Sequence, residues 1–81
     1  MDDLELLQHI TALTDEERRL YHRAEEQPGL TEDEQARLRG LEVRLDQCWD
    51  LLRQRQARRE FGRDPDGATL RDATTVERYE A

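Results

Sequence analysis

Apolar residues in the first third of the chain recur every three, four or seven positions, which is the spacing of one face of an α-helix. Asp2 and Asp3 precede this stripe, where carboxylates cap free backbone N–H groups and complement the helix dipole. Neither Gly nor Pro interrupts the segment before residue 28. The pattern therefore predicts a helix over about residues 3–26. Its stripe consists of Leu6, Ile10, Leu13, Leu20 and Ala24, with Leu7 and Tyr21 at one edge.

A second helical pattern follows the breaker pair Pro28-Gly29. Thr31 and Glu34 have the identity and spacing of a capping box, which marks the first turn of a helix. A glycine and then a proline end the pattern, so it predicts a helix over about residues 32–61. The apolar stripe of this helix consists of Leu38, Leu41, Leu45, Cys48, Trp49 and Leu52.

The short link between these helices predicts an antiparallel helical hairpin over residues 1–62 and an all-α fold. Residues whose numbers sum to about 58 then face each other across the seam. The pairs are Leu20 with Leu38, Leu13 with Leu45, Ile10 with Cys48, and Leu6 with Leu52.

The C-terminal tail, residues 63–81, has fewer apolar residues and a partly irregular character. Asp64-Pro65-Asp66-Gly67 predicts a turn. Thr74 and Glu77 have the spacing of another capping box, which favours one or two helical turns near residues 75–80. An extended arm is the alternative.

The second helix also has a back face of small and apolar residues, and two helices alone cannot enclose a core. At this length the free energy gained by burying apolar surface nearly cancels the conformational entropy that the chain loses on folding. The apolar surface that the hairpin leaves exposed therefore has to be buried by another segment or by a second copy. We expect a homodimer that forms a four-helix bundle. A tail folded back over the hairpin is the alternative, and both can coexist. The back face consists of Ala36, Gly40, Val43, Gln47, Leu51 and Phe61.

Composition narrows the classes of function. The chain has 81 residues, of which 35% are hydrophobic and 41% charged, and no apolar run approaches the roughly 20 residues of a transmembrane helix. The acidic N-terminus does not resemble a signal peptide, and Cys48 has no second cysteine to pair with. These features predict a cytoplasmic protein without a membrane or disulfide framework.

The 13 basic residues are all arginines, and the formal net charge is −7. Residues 51–63 nevertheless hold five arginines and one glutamate. This block predicts an accessory site for phosphate, nucleotide or nucleic acid, although overall acidity disfavours a polyanion. The competing explanation is neutralisation of the protein's own acidic segments. The arginines are Arg53, Arg55, Arg58, Arg59 and Arg63.

Three side chains on the predicted stripes each have two interpretations. Trp49 could anchor a protein partner, but packing in the hairpin or dimer seam is favoured. Cys48 is expected to be a buried apolar residue, not a reactive thiol. Glu17 lies in the middle of the apolar stripe of the first helix. We expect it to form an ion pair with Arg37 or Arg44, either within the hairpin or across a dimer, and we favour this over a role in binding a metal or another ligand.

Glu42, Asp46 and Asp50 form an acidic row along the second helix. Carboxylate metal sites in helical bundles usually add a Glu-x-x-His motif, and neither histidine here follows a glutamate at that spacing. The row is therefore interpreted as a solvated or partner-facing surface, with no metal and no cofactor. The chain also lacks serine, a Gly-rich phosphate loop and a Cys-x-x-Cys motif, so we predict that it is not an enzyme.

The segment Leu41–Pro65 contains the string Leu-Asp-Gln-Cys-Trp-Asp-Leu-Leu-Arg-Gln-Arg at Leu45–Arg55. With Asp15-Glu16-Glu17 and the closing Val76-Glu77-Arg78-Tyr79, it resembles a small actinobacterial family known as domain of unknown function 2630. The resemblance implies a soluble helical protein and no assigned activity. We therefore predict a non-enzymatic interaction or structural module that acts as a homodimer and binds a further, unidentified protein. The predicted partner-binding residues are Trp49, Leu51, Val43 and Phe61.

Overall fold

The computed structural model describes residues 1–80, except for the side chains of Glu77, Tyr79 and Glu80. Ala81, the last residue of the predicted tail, lies outside the described residues. Within that range every regular element is helical, which confirms the all-α class. The α-helices are α1 (Asp3–Ala24), α2 (Glu32–Glu60) and α3 (Ala73–Glu80), and a short 3-10 helix spans Pro65–Gly67.

The N-termini of α1 and α2 have the caps that the sequence predicts. The Asp2 side chain accepts a hydrogen bond from the backbone N–H of Glu5 at 2.8 Å. At α2 the backbone N–H of Glu34 donates to Thr31 Oγ1 at 3.1 Å, and the Thr31 N–H donates to Glu34 Oε1 at 2.9 Å. All three bonds satisfy N–H groups that have no partner inside the helix, which fixes where each helix begins.

Helix α1 ends at Ala24, two residues before the predicted boundary. The N–H groups of Glu25 and Glu26 bind the carbonyls three residues earlier, at 3.1 and 3.2 Å, so the last turn is tighter than an α-helix. Gly29 then adopts a φ of +94°, a backbone conformation that side chains with a Cβ disfavour. Gly29 thereby lets the chain reverse into α2.

The seam between α1 and α2 is antiparallel and has the predicted register. At its two ends, Arg55 pairs with Asp3, and Arg23 Nε lies 3.7 Å from Glu34 Oε2. These residue numbers sum to 58 and 57, close to the expected value. The buried cluster consists of Leu6, Ile10, Leu45, Cys48 and Leu52, flanked by the half-buried Leu13 and Leu51.

The tail returns along the opposite side of α2, as in the predicted alternative of a folded-back tail. Gln54 Nε2 donates to the carbonyl of Thr69 at 2.8 Å, and Gln47 Nε2 donates to that of Arg71 at 3.2 Å. Helix α3 packs on α2, and Val76 is completely buried. The tail thus covers part of the back face of α2.

Asp72 caps α3, so the predicted capping box at Thr74 is wrong. The Asp72 carboxylate accepts from the N–H of Thr75 at 2.8 Å, and its carbonyl accepts from the N–H of Val76 at 3.1 Å. Aspartate is at least as good a cap as threonine, and the helix begins one residue before Thr74. The Glu77 side chain, the other half of the predicted box, lies outside the described residues.

The molecule is a long, thin plate. Its principal extents are 52 × 25 × 16 Å, and its radius of gyration is 15.1 Å. A compact chain of this length has a radius of gyration of about 11.7 Å. The thinnest dimension is 16 Å, against a diameter of roughly 10–12 Å for one helix with its side chains. Since α1 and the tail pack on opposite sides of α2, the three segments form a single layer with a narrow core.

Candidate functional site

The four predicted partner-binding residues point to three different sides of α2. Val43 and Phe61 are 18 residues apart, which is five helical turns, so they share one side. Trp49 lies about 120° away from that side, at roughly 100° per residue. Leu51 packs against the core cluster. The structure therefore does not unite these residues in one surface.

Trp49 lies instead on the same face of the hairpin as Leu7 and Tyr21 of α1, whose side chains are exposed. On this face each helix carries a row of side chains spaced seven residues apart, one row on α1 and one on α2. Tyr21 Oη of the α1 row donates a hydrogen bond of 2.6 Å to Glu42 Oε1 of the α2 row, which joins the two rows at one end. Leu4 lies at the edge of the α1 row, near its other end. We call this surface the Trp49 face. It consists of Leu4, Leu7, Thr14 and Tyr21 on α1 and Glu42, Trp49 and Gln56 on α2.

The Trp49 face is rich in exposed apolar area. Trp49 is 43% exposed and lies outside the buried cluster, while Leu4 and Leu7 are 65% and 43% exposed. The expectation that Trp49 packs in the seam of the hairpin is therefore wrong, whereas a place in a dimer seam stays a prediction. Exposed tryptophan and tyrosine side chains together with other apolar side chains on one face are typical of a protein interaction surface.

Two arginines of the basic block bind the protein's own carboxylates. Arg55 is only 5% exposed, pairs with Asp3, and donates from Nη1 to Asp66 Oδ1 at 2.9 Å. Arg59 Nη2 donates to the other Asp3 oxygen at 2.6 Å. The hydrogen bonds from Arg55 and then Arg59 lower the pKa of Asp3, and those to Asp3 and Asp66 raise the pKa of Arg55. These contacts tie the start of α1 to the end of α2.

The remaining arginines of the block are less buried than Arg55. Arg58 Nε donates to the carbonyl of Asp64 at 2.6 Å, and its guanidinium lies directly against Gly67. Arg63 is exposed, and Arg53 is exposed with an interaction inside the chain. An open groove beside the end of α2 is lined by Ala57, Arg58, Phe61 and Arg63. An anion site here would use Arg58 and Arg63, because Arg55 and Arg59 already hold carboxylates.

The acidic row of α2 does not act as one unit. Asp50 is 1% exposed and accepts two hydrogen bonds from Arg71, one of them from Nε at 2.8 Å, and one from Gln54 at 3.0 Å. Arg71 is the main reason that the pKa of Asp50 is lowered. The prediction of a solvated or partner-facing row is therefore wrong for Asp50. Within residues 1–80, the described side chains contain no group of three or more potential ligands placed for a metal ion.

The predicted ion pair of Glu17 is also absent within the hairpin. Arg37 binds Glu16, with Nη2 donating to Oε1 at 2.9 Å, and this contact lowers the pKa of Glu16. Glu17 is half-buried and makes no ion pair among the described residues, so the predicted pairing with Arg37 or Arg44 is wrong inside one chain. A pairing across a dimer stays a prediction.

Cys48 has the predicted buried environment. It is 1% exposed in the seam, and burial raises the pKa of its thiol. A raised pKa reduces the thiolate fraction, which is the nucleophilic form. Cys48 therefore acts as a small apolar core residue.

Sequence reasoning missed the polar contacts that hold the tail. Gln47, Asp50 and Gln54 follow each other at spacings of three and four, which places them on one side of α2. Val43 and Ala36 lie on the same side. A row of polar side chains beside apolar ones could have indicated that this side of α2 binds a segment with exposed backbone carbonyls. That segment is the tail.

Comparison with known proteins places the chain in a family. The sequence pattern described as "Protein of unknown function (DUF2630)" matches residues 2–81. The chain belongs to the DUF2630 family. Uncharacterised proteins of Mycobacterium bovis and of two strains of Mycobacterium tuberculosis are 51% identical to this DUF2630 chain over 79 residues. The alignment covers 95% of the chain and 88% of each relative.

No solved structure matches this DUF2630 chain at a significant level. No helix among the described residues of the chain is long and apolar enough to cross a membrane.

Proposed function

We propose that this DUF2630 chain is a non-enzymatic protein–protein interaction module that works as a homodimer in the cytoplasm. The observation that carries the proposal is the thin plate with exposed apolar side chains on one face. Domains are normally built from at least two packed layers around one core. A second copy would supply the layer that this chain lacks.

The accessible surface supports the same proposal. It measures 5862 Å² for a mass of 9.6 kDa, whereas a compact monomer of that mass exposes about 5,100 Å². The excess is comparable to the roughly 800 Å² that one partner buries in an interface of standard size. Association through one broad face would bring the surface close to that of a compact protein.

The non-enzymatic part of the proposal is supported by the state of the reactive groups. The Cys48 thiol is buried with a raised pKa, and the buried Asp50 carboxylate is neutralised by Arg71. Groups of this kind stabilise a fold and do not present a nucleophile or a base to a substrate. Cytoplasmic location is supported by the free cysteine, because oxidising compartments favour disulfides.

Mass in solution tests the homodimer directly. Light scattering of the full chain through a dilution series should give about 19 kDa, twice the 9.6 kDa of one chain, and fall toward 9.6 kDa on strong dilution. A folded protein that remains at 9.6 kDa over the whole series would overturn the proposal.

The groove at the end of α2 favours a second candidate function, binding of a phosphate-bearing ligand. Phe61, 80% exposed, lies in this groove with Arg58 and Arg63, which combines an aromatic face with two cations. Binding of inorganic phosphate and of ATP by calorimetry at low salt is the test. The candidate predicts weaker binding to the Arg63→Gln variant, and lack of heat with both probes excludes it.

A further inference from the structure

We propose that the Trp49 face is where a second copy of this chain docks, with the two α2 helices antiparallel across a two-fold axis at Trp49. The inference rests on the proposed homodimer and adds the surface and the orientation. In a two-fold interface the same patch is used by both copies, so residues near the axis meet their own counterparts.

The distribution of apolar area selects this face. Leu7, Tyr21 and Trp49 are each at least 43% exposed on a single side of the hairpin. The edge of α2 opposite α1 carries the tail, which buries Val76 and takes up Gln47 and Gln54. The tail therefore leaves the Trp49 face, with its exposed leucine, tyrosine and tryptophan side chains, open.

Charge complementarity selects the orientation. When two antiparallel α2 helices are centred on Trp49, residues whose numbers sum to about 98 face each other. Glu42, Asp46 and Glu60 then each meet a basic or amide position of the second copy. A parallel arrangement in register would instead place every charge against its own counterpart, which is unfavourable. The antiparallel pairs are Arg39 with Glu60, Glu42 with Gln56, and Asp46 with Arg53.

These side chains are accessible enough to meet a partner. Arg39, Arg53, Gln56 and Glu60 are exposed, and Asp46 is half-exposed. Asp46 and Arg53 each take part in an interaction within the chain. A guanidinium has five N–H donors and a carboxylate accepts several bonds, so a contact inside the chain is compatible with one between copies.

A matched pair of variants tests the surface. Trp49→Asp replaces the centre of the proposed interface with a carboxylate, whereas Phe61→Asp makes the same replacement on another side of α2, at a side chain that is 80% exposed. We expect Trp49→Asp to weaken dimerisation at least about 30-fold, as for an interface hot spot, and Phe61→Asp to leave it unchanged. Both variants should retain the helical circular dichroism of the wild type.

A charge reversal tests the orientation and does not alter an apolar residue. Asp46→Arg alone would place like charges across the axis and weaken the dimer on the order of tenfold. Adding Arg53→Asp restores opposite charges between copies in the antiparallel arrangement and should recover the affinity. Recovery supports the inference, and a double variant as weak as the single one overturns the antiparallel orientation.

The outcomes separate this inference from the proposed function. If the wild type is a dimer and both Trp49→Asp and Asp46→Arg leave it intact, the Trp49 face is wrong while the homodimer stands. If the wild type is monomeric throughout the dilution series, the homodimer and the docking face are both overturned. If Trp49→Asp loses its helical structure, the comparison of Asp46→Arg with the double variant decides whether the two copies meet through the Trp49 face.

Discussion

At the residue scale, the fold depends on charged groups that are buried together with a partner. Asp50 and Arg55 are nearly inaccessible, and each forms hydrogen-bonded ion pairs. Removing one member of a buried pair is costly because the remaining charge has lost its hydration. An exposed pair contributes much less, since water and salt screen it.

Arg71→Ala should destabilise the protein by about 3 kcal/mol, because it leaves the Asp50 carboxylate buried without its cation. The matched control is Arg37→Ala, which removes a two-bonded pair with Glu16 at the surface and should cost much less stability, because water and salt screen that pair. Urea unfolding of both variants at equal protein concentration gives the comparison. Equal losses in the two variants would contradict the structural role of the buried pair.

Cys48 should react slowly with iodoacetamide in the folded protein and rapidly in urea, because its thiol is buried and has a raised pKa. A thiol at position 40 is the control, since a Cβ at Gly40 meets no neighbouring atom within 4 Å. Gly40→Cys, made together with Cys48→Ala, should react in the folded state at the rate of a free thiol. Fast native alkylation of wild-type Cys48 would show that the seam is open.

At the element scale, the two long helices could be predicted because their signals are local. Asp2, Thr31 and Glu34 act on N–H groups within one turn, and the stripe spacing sets the register of the hairpin. The path of the tail could not be predicted in this way. Its position depends on contacts between residues far apart in sequence, such as Gln47 with the Arg71 carbonyl.

Asp72→Ala should unfold α3 locally, because the carboxylate accepts the N–H of Thr75 at the start of that helix. We expect amide hydrogen exchange in α3 to accelerate about fivefold, while α1 keeps its protection. Thr74→Ala is the control and should have no comparable effect. A larger effect from Thr74→Ala than from Asp72→Ala would restore threonine as the cap.

At the scale of the whole molecule, the chain is a single layer held together at its edges by carboxylate–arginine pairs. Asp3 joins the start of α1 to Arg55 and Arg59, and Asp50 joins α2 to the tail. The ion pair of Asp50 with Arg71 and the burial of Arg55 beside Asp66 do not follow from the sequence pattern, because Arg71 and Asp66 lie in the tail and both contacts depend on how the tail returns. The apolar residues of the Trp49 face could be named from helical spacing, but their exposure required the structure.

Stability should fall in acid. The pKa values of Asp3 and Asp50 are lowered by their arginine partners, so the folded state binds protons less readily than the unfolded state. The stability that these two carboxylates contribute is fully present above their pKa in the unfolded chain, about 3.9. It is lost as the pH falls through their lower pKa values in the folded state. The urea midpoint should therefore stay constant from neutral pH to about pH 5 and drop toward pH 3. Asp50→Asn should make this drop shallower. A wild-type urea midpoint that does not change between pH 5 and pH 3 would contradict the prediction.

We propose that a second copy of the chain supplies the layer that one copy lacks. Multi-angle light scattering of the wild-type chain, eluted at several concentrations, measures the oligomeric state without any substitution. We expect a mass of about 19 kDa, twice the 9.6 kDa of one chain, at the higher concentrations. A folded protein with a mass of 9.6 kDa at every concentration would contradict it.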